Sequence, residues 1–270
     1  MLPGTSGFHW TPGHVIFLSL FFLVVITILT TVLRAIFRSA RDLRGRGSDQ
    51  LLWQLEFEDL PDAEKRCRHE IAGRVNRRTC PNAFDCRNCK DYERFAALPS
   101  VPAQSTFGLD YPSDRLYHRG HTWVRPEAEG AFTVGLDDLA LHLLGKPDSV
   151  ELPPVGTRLT TNSPAWRIRK GDAEMRVRAP LDGEVVETAG EGQDWCLKIR
   201  PETTPNLRHL LRGPEVSAWL GKELERLQIQ LGAPDGSPSL ADGGILMSGL
   251  MDAMPKADWD TVLAGTFLET

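Results

Sequence analysis

The chain has 270 residues, of which 41% are hydrophobic and 25% charged, and its formal net charge is -5 at pH 7. These values exclude a wholly disordered chain and fit one or two globular domains with additional segments, while the slightly acidic balance gives no support for nucleic-acid binding. The 24 glycines and 19 prolines favour a turn-rich, mainly β body.

An uncharged apolar run lies near the N-terminus. Residues 15–33 are 19 consecutive residues without a charge, a length that nearly matches a hydrocarbon core of roughly 30 Å. A cleaved signal peptide is the alternative, but it usually has basic residues before its apolar core, whereas here the basic residues follow the run. The pattern favours a single-pass anchor in the cell membrane. Because positive flanks stay inside, we expect residues 1–14 outside and the rest in the cytoplasm.

The segment after the apolar run is basic. Residues 34–49 contain five arginines and two glycines, which predicts a juxtamembrane linker lying against anionic headgroups. Residues 50–98 are predicted to form a helix, over 50–75, and a cysteine-rich module. The helix has only a partial apolar face, so we interpret it as a spacer.

Four of the five cysteines fall within 23 residues, namely Cys67, Cys80, Cys86 and Cys89, with the spacing C-x12-C-x5-C-x2-C. A C-x2-C pair closes readily around a tetrahedral ion, and four cysteines form a recognised structural zinc site. An iron–sulfur cluster also accepts four thiolates, and His69 could replace one sulfur. Disulfides or free thiols are the remaining alternatives, although a reducing cytoplasm disfavours disulfides. The pattern predicts a structural metal site, with zinc favoured.

Residues 110–232 alternate short apolar runs with Gly and Pro, which predicts short antiparallel strands. HTWVRPEAEGAFTVGL predicts a hairpin, LDDLALHLLG a helix ending at Gly145, and WRIRKGDAEMRVRAPLDGEVVE two strands around a Lys-Gly-Asp turn followed by a third. Cys196, alone in the run WCLKI, is predicted to be packed core. His118 and His121 are interpreted as surface or edge histidines, because no ligand spacing surrounds them.

The order of these motifs resembles the H-protein of the glycine cleavage system, a relative of lipoyl domains. The matching pieces lie within residues 112–220 and are HTWV, TVGLDDLALHLLG, SVELPPVG, APLDGEVVE and DWCLKIRP. The resemblance implies a mainly β fold, a lipoyl/H-protein-like barrel-sandwich of small antiparallel sheets with flanking helices. It also implies a carrier that works with partner enzymes rather than an enzyme.

In the family that the sequence resembles, a lysine at a hairpin tip carries lipoate, seven residues before the small residue of a small-Pro pair. Counting back from Ala179 gives Asp172, with Gly171 beside it; the nearest lysine is Lys170, and Arg169 stands where the family has an acidic residue. Lys170 could carry lipoate if the hairpin were slipped by two residues, which preserves the side-chain faces. Otherwise Lys170 is a solvated turn lysine, and aspartate at the tip has no amine to acylate. We favour the second interpretation.

The C-terminal part is predicted to be helical. Residues 214–231 have the spacing of an amphipathic helix, interpreted as the helix that closes the domain rather than as a docking surface. The tail, residues 233–270, contains two short apolar helical stretches, ILMSGLMDAM and DWDTVLAGTFL, which could pack back on the barrel.

Three functions fit these patterns. The favoured one is a membrane-anchored, non-lipoylated scaffold or adaptor for a cytoplasmic protein partner. The others are a lipoyl carrier that uses Lys170 and a metal or redox sensor that uses the cysteine cluster. No phosphate loop, triad spacing or paired carboxylates indicate an enzyme.

Overall fold

The structure, a computed structural model, describes residues 11–43, 47–98, 108–190, 192–231 and 246–268. The chain divides into two compact units, Met1–Ser48 and Asp49–Thr270. The first unit contains a long helix, and the second contains the strands and the shorter helices.

The long helix, α1, spans Pro12–Leu43. Its part Pro12–Arg34, 23 residues, is long and apolar enough to cross a membrane, although a signal sequence near an N-terminus meets the same criteria. Thr27 donates its hydroxyl to the Leu23 carbonyl at 2.7 Å, so this polar group is satisfied within the helix, as a bilayer requires. The segment predicted as a linker is helical as far as Leu43. Residues 1–10 of the predicted outer segment and residues 44–46 lie outside the described residues.

The next helix, α2, spans Gly47–Asp59, so the prediction of one helix over residues 50–75 is too long. Pro61 explains the end, because proline lacks an N–H and disfavours helical backbone at the residue before it. The spacer interpretation is also wrong, since Trp53 and Phe57 are buried against Phe84. The cysteine-rich stretch then contains α3 (Arg68–Ile71), a one-turn 3-10 helix (Cys86–Asn88) and α4 (Tyr92–Ala96).

In the described part of the chain, nine short strands form two antiparallel sheets. The larger sheet has the order β1-β2-β3-β9-β8-β5, and the smaller has the order β4-β6-β7. The strands are β1 (Leu116–His118), β2 (Thr122–Pro126), β3 (Phe132–Leu136), β4 (Ser149–Glu151), β5 (Arg158–Leu159), β6 (Pro164–Lys170), β7 (Ala173–Arg178), β8 (Gly183–Thr188) and β9 (Leu197–Arg200). This arrangement confirms the prediction of an H-protein-like set of small antiparallel sheets with flanking helices.

The two sheets face each other across one hydrophobic core. Val134 and Ile199 of the larger sheet are fully buried in the same cluster as Met175 and Val177 of the smaller sheet. The core is therefore built from inward-facing residues of both sheets, as in other sheet-on-sheet packings.

Among its described residues, the second unit has four further helices: α5 (Asp138–Leu144), α6 (Pro214–Leu231), α7 (Leu250–Ala253) and α8 (Trp259–Phe267). The predicted end of α5 at Gly145 is confirmed, because this glycine caps the helix with φ of 61°. The predicted bounds of the amphipathic helix, 214–231, are those of α6. Leu250 of α7 and Phe267 of α8 belong to the main core, so both tail helices pack back on the sheets.

Candidate functional site

The hairpin tip between β6 and β7 is a two-residue turn. Lys170 pairs with Ala173, which leaves Gly171 and Asp172 as the turn. Gly171 has φ of 59°, and a type II′ turn requires a glycine at this first central position. Because the turn determines the register of the strands, Asp172 lies at the exposed tip and Lys170 is the last residue of β6.

Lys170 is not the solvated turn lysine that the sequence suggested. Its Nζ lies 2.8 Å from the carboxylate of Asp252, on α7, and donates to the Lys146 carbonyl at 2.9 Å. The side chain is only 14% exposed. Lys170 is the single lysine in the β6–β7 hairpin, and the tail residue Asp252 binds its amine.

Two glycines bring the tail to the hairpin. Gly145 and Gly249 both have positive φ, and a Cβ on Gly145 would lie 2.9 Å from the Cα of Gly249. The Gly249 N–H donates to the His142 carbonyl at 2.7 Å. This close backbone approach joins the end of α5 to the start of α7 and places Asp252 against Lys170.

A second candidate site is a cavity in the cysteine-rich stretch. Cys67, Cys80, Cys86 and Cys89 all line it, and all are free thiols, so the disulfide alternative is not formed among them. Burial raises the pKa of the Cys86 thiol to about 12 and also raises that of Cys80. In the described parts of the chain, no three His, Cys, Asp or Glu side chains are so arranged that they could hold a metal ion. The predicted metal site therefore stays a prediction.

The strand domain, which runs from β1 to α6 (residues 116–231), contributes to the same cavity. Arg119 and His209 line it together with the cysteines. The Arg119 guanidinium lies 3.7 Å from the centre of the Phe84 ring and donates to the Arg66 carbonyl at 2.7 Å. Burial lowers the pKa of His209 to about 4, so its ring is neutral at pH 7.

Ion pairs fasten the cysteine-rich stretch to the strand domain. Glu215, at the start of α6, accepts from both Arg68 and Arg74, and all three side chains are largely buried. Arg87 reaches Asp182 at 2.7 Å. The cysteine-rich stretch is thus packed on the strand domain within one unit.

The sequence predicts His118 and His121 to be surface or edge histidines. The surface alternative is wrong, because both are buried, although His118 does lie on β1, at the edge of the larger sheet. His121 Nδ1 lies 2.9 Å from Asp137, and its ring stacks on Trp219. Burial by itself lowers the pKa of His121, but the Asp137 and Glu223 carboxylates raise it to about 9. The hairpin register carried a signal for this pair. Thr122 lies opposite Leu136, which brings the next residues, 121 and 137, together.

Cys196 is partly buried against the main core, consistent with its prediction as packed core. Burial raises the pKa of its thiol to about 11. It does not line the cavity of the other four cysteines, so it is chemically separate from them.

Comparison with known proteins identifies relatives of the strand domain. A family model described as "Glycine cleavage H-protein" matches residues 115–223. The "Glycine cleavage system H protein" of Alteromonas mediterranea is 35% identical over 113 residues, which are 37% of this chain and 88% of that protein. The protein of that name from Psychrobacter sp. is 33% identical over 122 residues, 40% of this chain and 97% of that protein.

A solved structure is also similar. The crystal structure of a glycine cleavage system H protein from Mycobacterium marinum shares 24% identity and covers 42% of this chain and 98% of that chain, with a TM-score of 0.34. A score this low carries no argument, and the assignment depends on the sequence relatives. The family match spans β1 to β9 and part of α6. It leaves α1, the cysteine-rich stretch and the tail outside.

Proposed function

We propose a function from the premise that this chain belongs to the glycine cleavage H-protein family: it is a membrane-anchored H-protein domain that carries no lipoate and serves as a scaffold or adaptor for a cytoplasmic partner protein. Members of this family are lipoyl carriers rather than catalysts, and they work by binding other proteins. The observation that carries the proposal is the hairpin tip, where Asp172 is exposed and Lys170 is bound by Asp252.

The chemistry of lipoylation supports this proposal. An amide forms when a neutral, accessible amine attacks an activated carboxyl group. Lys170 instead donates to the Asp252 carboxylate and the Lys146 carbonyl, and these contacts hold its side chain at only 14% exposure. Asp172, at the tip itself, has no amine. The hairpin keeps the geometry of the carrier but offers no amine in the position where acylation takes place.

The anchor is supported by α1. Its segment Pro12–Arg34 has the length and composition of a membrane span, and the five nearby arginines all lie after the apolar run. The positive-inside tendency then places the H-protein domain in the cytoplasm. An anchored domain without a swinging arm can still present the surface by which H-proteins contact partners, and this is the role of an adaptor.

Intact mass spectrometry tests the absence of lipoate. The full chain is purified in detergent from cells that lipoylate their own lipoyl domains, and a host lipoyl domain from the same culture serves as the positive control. We expect the unmodified mass for this chain. A lipoyl or octanoyl addition that peptide mapping places on Lys170 would overturn the proposal in favour of the carrier function.

A matched variant separates two reasons for the expected result. Asp172→Lys places an amine at the exposed tip and leaves the Lys170–Asp252 pair intact. If this variant is lipoylated, the hairpin is accessible to the modifying enzyme and the native chain lacks only the amine. If it also stays unmodified, the packed tail excludes the enzyme as well.

A further inference from the structure

The four clustered cysteines come from separate backbone segments that hydrogen bonds hold around one cavity. The Cys67 N–H donates to the Arg78 carbonyl at 2.8 Å, and the Cys80 N–H donates to the Lys65 carbonyl at 2.7 Å. These bonds pair the segment of Cys67 with the segment of Cys80 around an antiparallel bridge between Arg66 and Thr79. Cys86 is the first residue of the 3-10 helix, and Cys89 directly follows its last residue. Both line the cavity together with Cys67 and Cys80. Cys80 and Cys89, which follow Cys67 by 13 and 22 positions in the sequence, therefore line the same cavity as Cys67.

The surroundings of the cavity are rich in N–H donors that lack acceptors. The Nε of Arg68, the Nε of Arg119 and the Nε2 of His69 are buried without a hydrogen-bond partner, and all three residues line the cavity. A buried donor without a partner is costly, so several beside one cavity need an explanation. The Phe84 N–H already donates to the Cys80 sulfur at 3.3 Å. Thiolate sulfurs in the cavity would be acceptors for the other donors.

The charges around the cavity point to an anionic centre. Arg68, Arg119 and Asp85 line it, but the Asp85 carboxylate is paired with Arg87 at 2.8 Å. The Arg119 guanidinium donates to the backbone carbonyls of Arg66 and Glu64. Four thiolates around one divalent cation carry a net charge of −2. The Arg119 guanidinium, and the one net positive charge that Arg68 and Arg74 keep after pairing with Glu215, offset this charge, and burial strengthens the attraction.

We propose that Cys67, Cys80, Cys86 and Cys89 bind one Zn²⁺ ion as a tetrathiolate centre that holds the cysteine-rich stretch in its fold. The cavity volume of about 20 Å³ is close to the space needed for one water molecule, which is room for a single ion. Four sulfur ligands leave no open coordination position, which makes the site structural. This inference does not depend on whether Lys170 is lipoylated.

His69 is excluded as a ligand by its own hydrogen bond. The Nδ1 of His69 lies 3.3 Å from a guanidinium nitrogen of Arg74. Arginine can only donate, so Nδ1 accepts and the hydrogen of the neutral ring is on Nε2. An Nε2–H cannot bind a metal, so His69 is not a ligand.

Zinc binding requires the thiols to turn and to lose their protons. As they stand in the described residues, the sulfurs are not gathered on one point, but rotation about χ1 between staggered positions re-aims a thiol without moving its backbone. Each of the four S–H bonds is replaced by an S–Zn bond, and four protons leave to solvent. The proton release makes binding tighter as pH rises.

Metal analysis of the full chain tests this inference. The protein is purified in detergent, without added metal and after removal of any affinity tag, and is assayed for zinc, iron and acid-labile sulfide. We expect one zinc per chain. Cys86→Ser should lose most of this zinc, whereas Cys196→Ser, which removes the cysteine outside the cavity, should keep it. Because Cys86→Ser could fail to fold, replacement of zinc by cobalt in the native chain supplies a second measurement.

Cobalt bound by four thiolates gives intense sulfur-to-metal charge-transfer bands and the visible bands of a tetrahedral ion. We expect this spectrum, and we expect four thiols to become reactive to a thiol reagent when a chelator removes the metal. Iron with acid-labile sulfide would overturn the zinc assignment. A chain that contains no metal and whose clustered thiols react in the native state would overturn the site altogether.

Discussion

The ion pair between Lys170 and Asp252 joins two residues of very different exposure, 14% for the lysine side chain and 64% for the aspartate. An ion pair open to solvent on one side contributes roughly 1 kcal/mol or less. The pair therefore holds the lysine in place only weakly, and it can open to expose the amine to solvent. The reactivity of Lys170 should respond to the loss of this one carboxylate.

We predict that Asp252→Ala increases the rate at which a small amine-reactive acylating reagent modifies Lys170. Loss of about 1 kcal/mol corresponds to roughly a fivefold change in rate, since 1.36 kcal/mol is tenfold. The rate is measured by peptide mass spectrometry relative to the exposed Lys222 in the same chain. Asp260→Ala, an exposed aspartate on the neighbouring helix α8, is the control and should leave the rate unchanged. An unchanged rate in Asp252→Ala would mean that the rest of the tail covers Lys170.

At the scale of elements, the contact between α3 and α6 depends on one buried carboxylate. Glu215 accepts from Arg68 and Arg74, and its side chain is 10% exposed. The pair between Arg208 and Glu93 also joins the cysteine-rich stretch to the strand domain, but both of its side chains are well exposed. The same type of interaction thus occurs twice, once buried and once in solvent.

We predict that Glu215→Ala lowers the free energy of unfolding by roughly 3–5 kcal/mol, because it leaves a buried guanidinium without its carboxylate. Glu93→Ala should lower it by less than about 1 kcal/mol, because exposed pairs contribute little. Denaturant unfolding of the full chain in one detergent gives both values. Equal effects of the two variants would contradict the assignment of Glu215 as the main joint between these elements.

At the scale of the whole molecule, α1 and the H-protein domain belong to separate compact units. The proposed function assigns them separate tasks, since α1 holds the chain in the membrane and the domain binds a partner. A carrier must release its arm to several enzymes in turn, whereas an adaptor can keep one partner.

We predict that the chain stays with the membrane after an alkaline wash and is released only by detergent, because a transmembrane helix is not extracted with peripheral proteins. Affinity purification from the detergent extract should then yield a stoichiometric partner protein. A variant without residues 1–34 is the control for the first step and should appear in the soluble fraction. A chain that purifies alone under mild detergent would count against the adaptor role.

Much of the strand domain could be predicted from local patterns. The hairpin of β2 and β3, the end of α5 at Gly145 and the bounds of α6 all follow from turn residues, capping residues and hydrophobic spacing. The Lys-Gly-Asp turn also lies where it was predicted, with Asp172 at the tip. Each of these features depends on residues within a few positions of one another, and for this reason a single sequence reveals them.

The sequence alone thus established the apolar run, the cysteine spacing, the order of the strands and the absence of a lysine at the hairpin tip. The tertiary structure decided that His121 is buried beside Asp137, that Asp252 binds Lys170 from 82 positions away, and that Arg119 and His209 reach the cavity of the cysteines. Hydrophobic periodicity and turn chemistry act between neighbours in the chain. Burial, ion pairing and the convergence of ligands depend on contacts between distant segments, and these exist only once the chain has folded.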